Sequence, residues 1–191
     1  MRSSIAQTLR RISLLTALVA FGAVALAAAP AAMAASACQS AGASPAQTGK
    51  RAIVRATLCT INAERARQGL GALRLNKRLS AAATAHAADM DARNYFAHDS
   101  MGGGSFVDRI RQAGYLSGAR SWTVGENLAW GSGSRAAPAT ITQMWMNSPG
   151  HRANILSSSY REIGIGLAYG APVAGGGAPA ATYATEFGSR T

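Results

Sequence analysis

Residues 145–156 read Trp145-Met146-Asn147-Ser148-Pro149-Gly150-His151-Arg152-Ala153-Asn154-Ile155-Leu156. A proline and a glycine break the chain after an apolar helical stretch, and a histidine follows directly. Two other stretches carry the same kind of signal. Tyr95-Phe96-Ala97-His98-Asp99-Ser100 puts a histidine in a turn behind a helix, and Gly125-Glu126-Asn127-Leu128-Ala129 puts a carboxylate inside an apolar strand. These three polar groups, far apart in sequence, are the candidate chemistry of the chain.

Helices dominate the stretch before Glu126. Val54, Leu58 and Ile61 recur at helical spacing between Arg51 and Gln68, and Gly69 and Gly71 stop the pattern. Leu73 and Leu75 form a short connector. Ser80 caps a second helix through Arg93, whose Leu79, Ala83, His86 and Met90 share one face, so His86 reads as a packed core histidine. A turn-rich segment, Asn94–Gly104, leads to Ser105, which opens a short helix through Gln112. A fourth helix covers Ala136–Asn147 with Ile141, Met144 and Trp145, and Arg152 and Asn154 read as caps of the next short one. Strands are expected at Thr123–Leu128, Glu162–Tyr169 and Ala181–Phe187, the last two joined by a Gly170–Ala180 hairpin loop. Trp122, Trp130 and Trp145 read as core fillers. Helices around a small antiparallel sheet make an α+β sandwich.

The front of the chain is of another kind. Arg2, Arg10 and Arg11 precede an apolar run from Ile12 to Ala29, then Pro30 and the small-residue site Ala32-Met33-Ala34. That order is a secretory signal peptide over residues 1–34, cut after Ala34, with no membrane-spanning segment left after cleavage. Residues 35–50, rich in Ala, Ser, Gly and Gln, read as a flexible leader. Export places the only two cysteines, Cys38 and Cys59, where disulfides persist, and they are expected to pair. Periplasm and exterior are both compatible with this. The signal peptide takes three arginines with it, so the formal charge of +11 falls to +8 in the mature chain. Those charges are scattered, without a basic stripe interleaved with aromatics, which argues against nucleic acid and leaves anionic cell-envelope polymers as charge partners. At 191 residues the chain holds one domain. It has no phosphate loop and no G-x-S-x-G nucleophile elbow.

Five stretches in order carry a resemblance: Asn62-Ala63-Glu64-Arg65, Phe96-Ala97-His98, Gly125-Glu126-Asn127-Leu128-Ala129, Gly150-His151-Arg152-Ala153-Asn154-Ile155-Leu156 and Tyr183-Ala184-Thr185-Glu186-Phe187-Gly188. From Ala52 to Gly188 the chain resembles the CAP superfamily of cysteine-rich secretory, antigen 5 and pathogenesis-related-1 proteins, in its bacterial single-domain form. The resemblance implies a three-layer α-β-α sandwich over residues 51–191, with a small antiparallel central sheet and a cleft lined by two histidines and two glutamates. His98, Glu126 and His151 fall on three of those positions. Ser148, three residues after Trp145, stands where the family's second glutamate sits.

Two classes of function stay open on these residues. One is a non-enzymatic module that binds a small molecule, a lipid or sterol by the resemblance, or engages the envelope. The other is a metal-assisted protease or esterase, with His98 and His151 holding a divalent cation such as zinc and Glu126 as general base. Beside both stands a structural role, in which Glu126 satisfies backbone donors of the His151 loop or joins a histidine in stapling two layers. Ser148 in place of a second acid favours binding, which requires no cofactor.

Overall fold

The chain runs α1 (Lys50–Arg67), β1 (Arg74–Leu75), α2 (Lys77–Arg93), α3 (Phe106–Gln112), β2 (Trp122–Ser132), α4 (Pro138–Asn147), α5 (Pro149–Ile155), β3 (Glu162–Ala168) and β4 (Ala180–Arg190). These are the elements of a computed structural model that describes residues 38–173 and 179–191. The signal peptide expected over residues 1–34 and the centre of the Gly170–Ala180 loop lie outside the described residues.

Four strands form one sheet in the order β1-β3-β4-β2. β3 and β2 flank β4 antiparallel, and β1 adds a short parallel pairing through Arg74–Glu162 and Leu75–Ile163. The segment expected as a connector is therefore a strand; two residues are too few to show a strand's alternation in sequence.

Alternation along the longer strands divides the core into two layers. Ile163, Ile165 and Leu167 of β3, with Tyr183 and Phe187 of β4, pack on Ile53 and Ile61 of α1, Ile141 and Trp145 of α4 and Ile155 of α5. The other face carries Leu128, Ala168 and Ala184 against Ala83, Ala87 and Met90 of α2. Leu79 and Ala82 of α2 join Ile110 of α3 and Tyr115 in a satellite cluster. The result is the expected α-β-α sandwich.

Gly164 and Gly166 let α2 lie directly on β3. A β-carbon there would come within 2.0 Å of Leu79 and 2.2 Å of Ala83, both backbone atoms of the helix. Asn76, not Ser80, caps α2: its side chain accepts from the amides of Arg78 and Leu79. Ser105 caps α3 in a reciprocal box with Asp108.

Residues 38–49, the described part of the leader, are tied to the domain. Cys38 is bonded to Cys59 of α1 across 21 positions, and the Ala139 amide donates to the Ala41 carbonyl. The Cys38→Ser/Cys59→Ser variant is expected to lose about 3 kcal/mol, because the closed loop restricts the unfolded chain. Urea denaturation checks this, and an unchanged midpoint would sink it.

Candidate functional site

Register brings the site together. Glu126 of β2 stands directly opposite Glu186 of β4, so two carboxylates lie side by side on the face beneath α2. Both are buried, Glu186 completely. Two like charges cannot share such a space, and burial together with the Glu126 charge pushes the Glu186 carboxyl well above the usual range. Neither Glu186 oxygen meets a donor among the described residues. Burial beside Glu126 therefore favours the neutral form of Glu186.

Arg109 and two histidines surround Glu126. Arg109 of α3 donates from Nη2 to Glu126 Oε2 at 2.6 Å and to the His98 carbonyl at 2.8 Å, and lies 4.0 Å from Glu186 Oε1. His98, in the turn after α2, meets Glu126 Oε1 through Nδ1 at 2.7 Å. That hydrogen bond raises the imidazole pKa above its ordinary value, and the Glu126 charge adds to it, outweighing partial burial. The outer part of the His98 ring faces solvent, with the side chain 55 % exposed. The second histidine completes the shell: His86 Nε2 is 3.9 Å from Glu126 Oε2 and donates to the Ala97 carbonyl at 2.9 Å. Burial, reinforced by Arg109 against the pull of Glu126, keeps His86 neutral to lower pH than a free histidine.

His151 and Ser148 belong to an adjoining cleft of about 290 Å³. Its walls are apolar, formed by Phe96, Leu128, Trp130, Met144 and Trp145. Burial lowers the His151 pKa, and the nearby charge of His98 lowers it further. Backbone groups fix this wall: Asn127 donates to the His151 carbonyl at 3.0 Å, and Asn154 donates to the Glu126 carbonyl at 3.0 Å and to Asn127 Oδ1 at 2.9 Å. Asn154 thus sits within α5, clamping it to β2, rather than at a cap. Of the tryptophans read as core fillers, Trp145 is buried, Trp130 lines the cleft and Trp122 is exposed.

The four residues expected from sequence divide into two groups. His98 touches Glu126, whereas His151 and Ser148 face the apolar cleft. The Glu126 carboxylate points under α2, where its partners are His98 and Arg109 rather than the backbone donors of the His151 loop. Among the described residues no three His, Cys, Asp or Glu side chains gather at ligand spacing. A divalent cation on Glu126 itself would sit against the Arg109 guanidinium.

Arg109, Glu186 and His86 escaped the sequence reading of the site. Glu186 had a signal, a carboxylate within the apolar run Tyr183-Ala184-Thr185-Glu186-Phe187, the same pattern that marked Glu126. Arg109 had none, since an arginine in a short helix looks like solvated surface.

Helices on both sides of a four-stranded sheet, with a buried histidine–glutamate pair beside an apolar cleft, define an SCP-type domain. The chain belongs to the cysteine-rich secretory protein (CAP) family, whose sequence profile matches residues 58–175. The uncharacterized protein YkwD of Bacillus subtilis (strain 168) is 41% identical over 105 residues, 55% of this chain and 38% of that protein. The uncharacterized membrane protein YlbC of the same strain is 34% identical over 106 residues, 56% of this chain and 29% of its own length. The chain therefore spans well under half of either curated relative. Among solved structures, an extracellular SCP-domain protein of Bacillus anthracis str. Ames is 28% identical with a TM-score of 0.57, over 72% of this chain and 40% of the other. An outer surface protein of Borrelia burgdorferi shares the fold at 20% identity and a TM-score of 0.54, over 69% of this chain and 87% of its own.

Proposed function

We propose that this chain is an exported binding domain whose cleft holds a small, largely apolar ligand of the lipid or sterol class. The observation that carries the reading is the lining: six apolar residues, Ala129 among them, around about 290 Å³, with Ser148 and His151 as the polar groups. Phe96 and Met144, 43% and 44% exposed, present apolar surface at the cleft that water covers poorly. His98 and its buried partners stiffen the neighbouring wall. Export rests on the signal sequence at residues 1–34, the disulfide, and the likeness to an extracellular protein. No helix among the described residues is long and apolar enough to cross a membrane. The scattered positive charge adds weak attraction to anionic envelope polymers.

Hydrolysis with Glu126 as general base finds no support in this arrangement. Both carboxylate oxygens are engaged, by His98 and Arg109, and a water would have to displace one of them to lose its proton there.

Titration with cis-parinaric acid, a fluorescent fatty acid, tests the binding reading. Saturable enhancement is expected, weakened at least about tenfold by Met144→Asp, whose charge would face the acyl chain. No saturable signal from the unaltered chain, or equal binding by Met144→Asp, would overturn it. Ester turnover that disappears in Glu126→Gln would restore the hydrolase instead.

A further inference from the structure

We propose that one end of the sheet, where β1, β3 and β2 start and β4 finishes, binds a linear polymer of the cell envelope that carries repeating anionic groups, phosphate or carboxylate. This gives a place to the attraction for anionic envelope polymers, and it rests on export rather than on the apolar cleft.

The fold gathers here what the sequence scatters. Arg74 opens β1, Arg161 directly precedes β3, Arg190 closes β4 and Arg120 lies two residues before β2. β1 runs parallel to β3, and β4 runs antiparallel to both β3 and β2, so all four arginines fall at the same end. Backbone bonds fix them side by side. The Arg74 amide donates to the Arg161 carbonyl at 3.1 Å, the Arg161 amide to the Gly188 carbonyl at 3.1 Å, and the Arg120 amide to the Thr191 carbonyl at 2.7 Å. In the order β1-β3-β4-β2 every strand thus contributes one exposed arginine, a row roughly 14 Å across at about 4.8 Å per strand. Lys77 and Arg78, exposed at the start of α2, flank it.

This charge is poorly balanced within the chain. Arg67, Arg93 and Arg111 each meet an acid on their own helix, Glu64, Asp89 and Asp108. None of the four arginines of the row makes an ion pair among the described residues. Glu162, the register partner of Arg74, is an acid at this end, and its oxygens are taken by Asn76 Nδ2 and the Tyr115 hydroxyl. Close by, the buried Arg65 is held by the carbonyls of Gly71, Ile155 and Ser157. Burial lowers its pKa, and the charge of Arg161 lowers it further, so these cations repel one another. A bound anion relieves that repulsion.

The layout selects the partner. Arginines spaced on separate strands meet successive charges of a chain, each fork matching one phosphate or carboxylate. Leu75 and Trp122, 43% and 45% exposed, stand on the two edge strands at opposite sides of the sheet, so they form no continuous apolar patch for a bilayer.

Calorimetric titration of the full chain with polyphosphate and with polygalacturonate, at equal charge, tests the proposal, and the tighter of the two names the anionic group. Binding that weakens as salt rises is expected. Arg74→Gln/Arg161→Gln should bind at least about tenfold more weakly. Its log–log salt dependence should be shallower by about 1.4, at roughly 0.7 per lost contact. Arg51→Gln/Arg55→Gln removes the same charge at the start of α1, where Lys50 sits over Tyr169 just past the other end of β3, and should bind like the unaltered chain. The proposal falls if neither polymer binds, if the two double variants lose affinity equally, or if orthophosphate or phosphatidylglycerol vesicles at equal charge bind as tightly. These polymers report on the arginine row and cis-parinaric acid on the apolar cleft, so the two readings fail separately.

Discussion

Replacing Arg109 by methionine is expected to destabilise the fold by about 3–5 kcal/mol, the cost of leaving a buried charge without its partner. Methionine keeps much of the side-chain stem while removing the guanidinium that holds Glu126 Oε2, the His98 carbonyl and Ser100 Oγ. The double variant Arg109→Met/Glu126→Gln is expected to recover a large part of that loss, since it leaves no ion to bury. Urea denaturation of both variants at neutral pH gives the comparison. If Arg109→Met alone costs less than about 1 kcal/mol, the pair behaves as a surface ion pair and this account of the network is wrong.

Glu186→Gln should act in the opposite direction, and increasingly so as pH rises. The folded chain keeps a proton on Glu186 that the unfolded chain releases above the ordinary glutamate pKa. Between the unfolded value and the raised folded value the native state holds more protons, so stability falls with rising pH. The slope approaches about 1.4 kcal/mol per pH unit. This contribution is fully present below the unfolded pKa and is lost across that window. Glutamine has the shape of the neutral acid and nothing to titrate. Glu186→Gln should therefore match the unaltered chain near pH 4 and exceed it progressively above, in denaturation curves taken along a pH series. Parallel curves for the two proteins would mean that Glu186 is ionised in the fold.

Much of the architecture was legible because apolar periodicity reports on layers. The spacing of Val54, Leu58 and Ile61 placed one helix of the core, and the apolar runs around Ile163 and Tyr183 placed the sheet's centre. Caps and very short elements were less legible. Asn76 and Ser80 both precede helical residues, and only the backbone decides which side chain accepts the first amides. For the site, Glu126 stood out as a carboxylate in an apolar strand and His98 as a histidine in the turn behind a helix, and they do meet. His86 gave the opposite signal: its apolar helix face made it look like core, and it is core, yet it also turns a nitrogen toward Glu126. The Glu126–Glu186 pairing depends on strand register, a long-range property that local sequence does not encode.

β2 is an edge strand of the sheet, eleven residues long, and among the described residues no strand pairs with its other side. A bare strand of that length is a template for a second chain. Here the outward carbonyls of Glu126 and Leu128 are already taken, by Asn154 and by the Trp145 indole. The side chains that build the wall of the cleft therefore also guard this protein against strand-by-strand polymerisation, so damage to that wall would weaken resistance to self-association along with ligand capture.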